Sequence, residues 1–227
     1  MGINYSPVVV RDGLVLHLDA GNPKSYPGSG TTWTDLSGNG NTGTLTNTPT
    51  YDSTNGGSIV FAGTARIAIV NTAGLNLTGS SPISIITWIK PTSGGGMVMS
   101  GGTAYGLFSE ASIRYWYYDS NPNWKNFSST TSPITNAVWN QIAVTHVPGS
   151  VSLPTFYYNG TALATSGAAP TPINTGTASS ATIGEYNVYQ PYSQFLGRIA
   201  ISLMYNRVLT AAEVKQNFNA YRGRFGL

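Results

Sequence analysis

The run from Phe195 to Gly223 constrains the fold most, because it specifies a strand, a corner and a helix in succession. Ile199, Ile201, Leu203 and Tyr205 recur at every second position, with Ala200 and Ser202 between them, which is the period of a half-buried strand. Beyond Asn206 and Arg207, Thr210 is placed to cap a helix and Glu213 to reach back to its amide, while Leu209 and Val214 occupy the two positions of a hydrophobic staple. Gly223 is the expected stop. Val214, Phe218 and Tyr221 share one helical face, and a helix of about three turns holds in water only when such a face is docked. The helix must therefore lie on a sheet.

Upstream, the chain supplies that sheet. Leu14, Leu16 and Leu18 alternate with Val15 and His17 across Gly13 to Asp19, a first long strand, and the stretch from Asp19 to Gly30 then carries almost every residue that breaks regular structure. Trp33 anchors this loop, and Asp35 to Gly43 forms a second turn cluster before a short strand at Thr44 to Thr46. Ser58 to Phe61 and Ala65 to Val70 read as a hairpin around Gly63. In Ile83 to Lys90, Ile86 and Trp88 fall on one side and Ile83, Ile85 and Ile89 on the other, so this strand is expected to be buried on both faces. Met97 to Ser100, Gly106 to Ser109, the aromatic stretch Ser112 to Tyr118, Trp139 to His146 and Ala181 to Glu185 are further strands. Asn159-Gly160 joins Phe156 and Leu163 as a two-residue type I′ hairpin. About a dozen short strands separated by turns, with one C-terminal helix, predict an all-β chain of two antiparallel sheets in a jelly-roll sandwich. Residues 1–12 read as an N-terminal arm and residues 13–227 as a single domain.

Two segments resemble one family. Gly-Arg-Ile at 197–199, followed by the alternating strand and Tyr-Asn-Arg-x-Leu-Thr-x-x-Glu-Val at 205–214, is similar to the close of laminin-G-like, concanavalin A-like jelly-roll domains. Gly-Leu-Val-Leu-x-Leu-Asp at 13–19, with Trp-x-Asp-x-Ser-Gly-Asn-Gly-Asn-x-Gly at 33–43, resembles how such domains begin, in the form carried by tailed-phage virion proteins. The strands bearing Trp88 and Trp139 also fit, so the resemblance runs from Gly13 to Arg222. In one place the chain departs from the family pattern. Ala62 and Arg66 stand where the family commonly has acidic residues, which removes carboxylates that a ligand or ion there would use.

Composition narrows the chemistry. Charged residues make up only 8% of the 227, against a usual value of about 25%, so Ser, Thr, Asn and Gly must cover the surface. The surplus of three positive charges is scattered, apart from Arg222 and Arg224, and implies no nucleic-acid partner. With no Cys there are neither disulfides nor thiolate metal sites. No window approaches the ~20 apolar residues of a membrane helix, and the N-terminus lacks the basic and apolar regions of a signal peptide. The expectation is a chain made in a host cytoplasm.

Glucanases of this fold set their acids as Glu-x-Asp-x-x-Glu along a strand, a pattern absent here, and Glu110, Glu185 and Glu213 stand alone. No Gly-x-Ser-x-Gly elbow accompanies His17 or His146. No cofactor is required. Asp35-x-Ser37-x-Asn39-Gly40 has the oxygen spacing of half a calcium loop, which Asp19 could complete as a structural calcium site, but its composition favours an ordinary tight turn. Arg114, Trp116, Tyr118, Asn123 and Trp124 gather aromatic faces with hydrogen-bonding groups, which suits a sugar site. The same residues suit core packing or a contact with a second chain. The resemblance favours a non-enzymatic virion protein of the capsid or tail. It would stand on the virion surface against other virion proteins or copies of itself and contact glycans. A free-standing carbohydrate-binding module and a glucanase are the alternatives.

Overall fold

The computed structural model describes residues 7–70, 75, 81–93, 95–102, 104–118, 124–147, 152–167, 180–185 and 194–227. Its strands in chain order are β1 (Leu14–Asp19), β2 (Thr32–Trp33), β3 (Gly43–Thr46), β4 (Thr50–Asp52), β5 (Ser58–Phe61), β6 (Arg66–Val70), β7 (Ile83–Pro91), β8 (Gly96–Gly101) and β9 (Tyr105–Ser109). They continue as β10 (Ile113–Tyr118), β11 (Trp124–Ser129), β12 (Asn140–His146), β13 (Thr155–Tyr158), β14 (Thr161–Leu163), β15 (Thr165–Ser166), β16 (Ser180–Ile183) and β17 (Gly197–Tyr205), before helix α1 (Ala211–Tyr221). Among the described residues the first sheet runs β14-β13-β12-β7-β17-β5-β4, with β1 also on β17. The second runs β15-β11-β10-β9-β8-β16-β6-β3-β2. All the strand pairs are antiparallel, so this is the expected two-sheet sandwich with one short C-terminal helix. That helix is not long and apolar enough to cross a membrane.

Alternation fills the space between the sheets. Ile83, Ile85 and Ile89 point inward from β7 to meet Leu107, Tyr115 and Phe127 of the second sheet, while Ile86 and Trp88 point outward beneath the helix. Strand β17 breaks the expected single face. Ile199 lies in the inter-sheet core, whereas Ile201, Leu203 and Tyr205 lie under the helix, because the register with β7 shifts between Ile199 and Ile201. One extra residue inverts every later side chain. The same happens in β1, where Leu14 packs toward the helix and Leu16 and Leu18 toward the core.

The expected hairpin around Gly63 does not form. β5 ends in the first sheet and β6 begins in the second, so the chain crosses the sandwich there, turning on the Ala65 amide bonded to the Ala62 carbonyl. The hairpin at Asn159-Gly160 does form, with φ of 48° and 71°. Trp124–Ser129, which sequence alternation did not reveal, is a full strand beside β10.

At the C-terminus the capping box is complete: the Thr210 hydroxyl accepts from the Glu213 amide and the Glu213 carboxylate accepts from the Thr210 amide. Gly223 does not stop the helix. The chain tightens into a 3-10 turn over Arg222–Phe225 and turns off at Gly226, whose φ is 74°. That extra turn delivers Phe225 to Trp88, with ring centroids 4.4 Å apart, while Phe218 stacks on Trp88 at 5.6 Å. The N-terminal segment is strapped to the same helix, since Asn217 accepts from the Val10 amide and Tyr205 donates to the Val10 carbonyl.

Candidate functional site

Among the described residues the outer face of the first sheet carries α1, Val10 and Phe225, which turns attention to the outside of the second sheet. There β10 turns Tyr115 and Tyr117 into the core and Arg114 and Trp116 outward. Trp116 packs with Phe108 and Met97, its indole lying over Gly106, where a Cβ would stand 2.6 Å from Cε2 and Nε1. The Arg114 guanidinium sits 4.4 Å over the Phe108 ring and pairs with Glu110 at 2.9 Å. Tyr118 and Trp124 stand opposite one another in the β10–β11 ladder, and Asn123 lies outside the described residues, as do Asn121, Tyr186, Tyr189 and Tyr192. Arg114 and Trp116 thus share a face. Phe108 and Met97, which join them, went unread although Phe108 alternates with Leu107 in sequence.

Trp116 is only 5% exposed within a single chain, so it is neither an open sugar platform nor a bare surface awaiting a partner. Beside it on β11 Asn126 and Ser128 reach water, and Thr44 and Arg66 do so farther along the same sheet. This face is weakly charged, because Arg66 pairs with Glu185 at 2.9 Å.

The calcium-like loop is put to another use. Asp35 Oδ1 accepts from the amides of His17 and Ser37, and Oδ2 accepts from the Ser37 hydroxyl and the Asn41 amide, all at 2.7–2.9 Å. Ser37 and Asn41 also donate to the Val15 carbonyl, and Asn39 donates to that of Leu14. The alternating oxygens therefore serve the free edge of β1, in place of a neighbouring strand. Asp19 turns away to Arg224, at 2.6 Å. Among the described residues no three His, Cys, Asp or Glu are grouped as metal ligands. Asp35→Ala is expected to cost about 3 kcal/mol, since it strips partners from several buried amides, whereas a chelator should leave the thermal midpoint unchanged. A midpoint that falls with chelator in the wild type and not in Asp35→Asn would restore calcium to the loop.

The acids are dispersed. Among the described residues Asp12 and Glu213 pair with Arg207, Asp52 with Arg198, Glu110 with Arg114 and Glu185 with Arg66. Arg207 hydrogen bonds and then the Thr210 amide hold Glu213 down to about 2, and hydrogen bonds from Thr54 lower Asp52. That is opposite to the direction a general acid requires. The histidines are also apart. His17 bonds to the Tyr221 hydroxyl at 2.9 Å, and burial lowers its pKa. Burial pushes His146, enclosed by the Tyr115, Tyr117 and Phe127 rings, down to about 4.

Comparison with known proteins agrees with the fold. The chain is similar in structure to the binding domain of Paraclostridial Mosquitocidal Protein 1, with a TM-score of 0.72 at 16% identity, over 93% of this chain and 53% of that one. It is similar also to the ligand binding domain of botulinum neurotoxin serotype D in complex with N-acetylneuraminic acid, with a TM-score of 0.68, 11% identity, and coverage of 92% and 51%. Domain 4 of AbnA, an extracellular arabinanase from Geobacillus stearothermophilus, in complex with arabinotriose, gives 0.65 at 20% identity, over 90% of this chain and 97% of that one. The chain spans about half the length of the two toxin domains, and at these identities the likeness is one of fold. No curated protein matches the sequence. A laminin-G-type family model matches residues 61–215, more than half of the chain, and by that match the protein belongs to the concanavalin A-like lectin/glucanases superfamily.

Proposed function

We propose that this domain is a non-enzymatic glycan-recognition domain, displayed on the virion surface of a tailed phage by contacts with other virion proteins or with copies of itself. The observation that carries the non-enzymatic part is that each described carboxylate is already engaged, Asp12, Asp19, Asp52, Glu110, Glu185 and Glu213 by an arginine and Asp35 by amides and a hydroxyl, so none is set as one of a free pair. Glycoside hydrolysis needs such a pair, separated by roughly 5 to 10 Å. Glycan recognition is supported by the hydroxyl- and amide-bearing outer face of the second sheet. It is supported too by the sugar complexes of two domains of like fold, the arabinanase domain with arabinotriose and the neurotoxin domain with N-acetylneuraminic acid. The virion setting rests on the resemblance of segments 13–43 and 197–214 to phage virion proteins.

A glycan array tests the central claim. The purified chain is expected to be retained on at least one glycan and to release no reducing sugar from it or from a panel of β-glucans. Retention on none would sink the recognition half, and turnover lost in Glu110→Gln or Glu185→Gln would sink the other. Immunogold labelling of phage particles that encode the chain should decorate intact virions, and its absence from them would remove the display setting.

A further inference from the structure

We propose that a cleft at the rim of the sandwich is a subsite for one neutral sugar ring, an inference that rests on the glycan reading and locates it. Pro91, Ala111 and Ile134 form its apolar side and Ser109, Glu110 and Asn136 its polar side. Its volume of about 220 Å³ is below the range of roughly 300–1,000 Å³ typical of drug-sized ligands, so it suits a single small ring.

The polar groups are of the kind a sugar needs. Ser109 lies beneath the cleft with no exposed surface, so the polar contacts fall to Glu110 and Asn136. Glu110 gives Oε1 to Arg114, which leaves Oε2 as an acceptor for a ligand hydroxyl. The Asn136 amide is exposed and offers both a donor and acceptors. Carboxylate and amide together match vicinal ring hydroxyls, and Ile134, Pro91 and Ala111 match the C–H surface of the ring. Because Glu110 is an anion, an acidic sugar is disfavoured.

The cleft is held open in advance. Buried Asn140 donates to the carbonyls of Thr135 and Val138 at 2.9 and 2.8 Å and accepts from the Thr135 amide and the Tyr158 hydroxyl. The Ala137 amide closes onto the Pro91 carbonyl at 2.7 Å, and the Glu110 amide onto that of Ser112. A wall fixed by these bonds loses little freedom on binding.

Nitrogen–proton correlation spectra of the whole chain, titrated with the methyl glycosides of glucose, galactose and arabinose and with N-acetylneuraminic acid, test the site. At least one neutral glycoside should shift the amides of Ala111, Ile134 and Asn136, and the acidic sugar should not. Asn136→Ala and Glu110→Gln should each weaken that binding about 3- to 10-fold, the worth of one hydrogen bond. Asn136→Ala should leave the melting temperature unchanged, since its side chain is exposed, which separates a ligand role from a structural one. Array retention unaffected by both substitutions, or shifts that map to the face around Trp116, would overturn the subsite and leave glycan recognition standing. A wild-type chain silent on the array and in the titration would overturn both.

Discussion

Phe218→Ala is expected to lower stability by about 3 to 5 kcal/mol, the cost of removing a buried aromatic ring that cannot be refilled. Phe218 is 5% exposed and lies parallel to Trp88, whose other neighbour in the stack is Phe225, itself 4.6 Å from Trp139. Truncating one ring therefore exposes Trp88 and loosens the seat of the whole helix. For a domain of this size the thermal midpoint should fall by roughly 6 to 20 °C. Thr210→Ala should cost only about 1 kcal/mol, because the cap is lost while the stack remains. Urea midpoints measured side by side check the order. Equal losses in the two variants would mean that the helix is held by its own termini and not by the sheet. Because Asn217 and Tyr205 hold Val10, the Phe218 variant should also be clipped faster by protease within the N-terminal segment.

Arg224→Ala should be of similar size, about 3 to 5 kcal/mol, for a different reason. The guanidinium pairs with Asp19 at 2.6 Å and donates to the carbonyls of Asn55 and Gly57, while the Asp19 and Arg224 side chains are only 10% and 18% exposed. Removing the cation leaves a carboxylate in a site it entered only with its partner, and breaking one side of a buried pair is far costlier than replacing both. The double variant Asp19→Asn with Arg224→Met should accordingly recover much of the loss. Chemical denaturation of the two single variants and the double decides this. A double variant as unstable as the sum of its parts would show the two residues to be independent.

These two contacts mark where the sequence stops being sufficient. The strand periods, the Thr210–Glu213 capping box, the Asn159-Gly160 turn and the two-sided burial of Ile83–Lys90 were all legible, because each is set by neighbours within a few residues. Fold class follows from such local signals, and so does the family resemblance. The bulges in β1 and β17 were not legible, since an extra residue in a strand is defined only against the register of its partner. For the same reason Ser58–Phe61 and Arg66–Val70 looked like a hairpin and proved to belong to opposite sheets. The candidate site divides in the same way. Sequence alone placed Arg114 and Trp116 on one face, but only packing decided that Trp116 is covered. The oxygens of Asp35, Ser37 and Asn39 suited a turn more than a cation, and only the nearness of the free edge of β1 gave that loop to backbone groups. Ser109, Glu110 and Asn136 carry no motif at all. They meet because β9, the turn after it and the loop before β12 end at one rim, and that convergence is a property of the assembled sandwich.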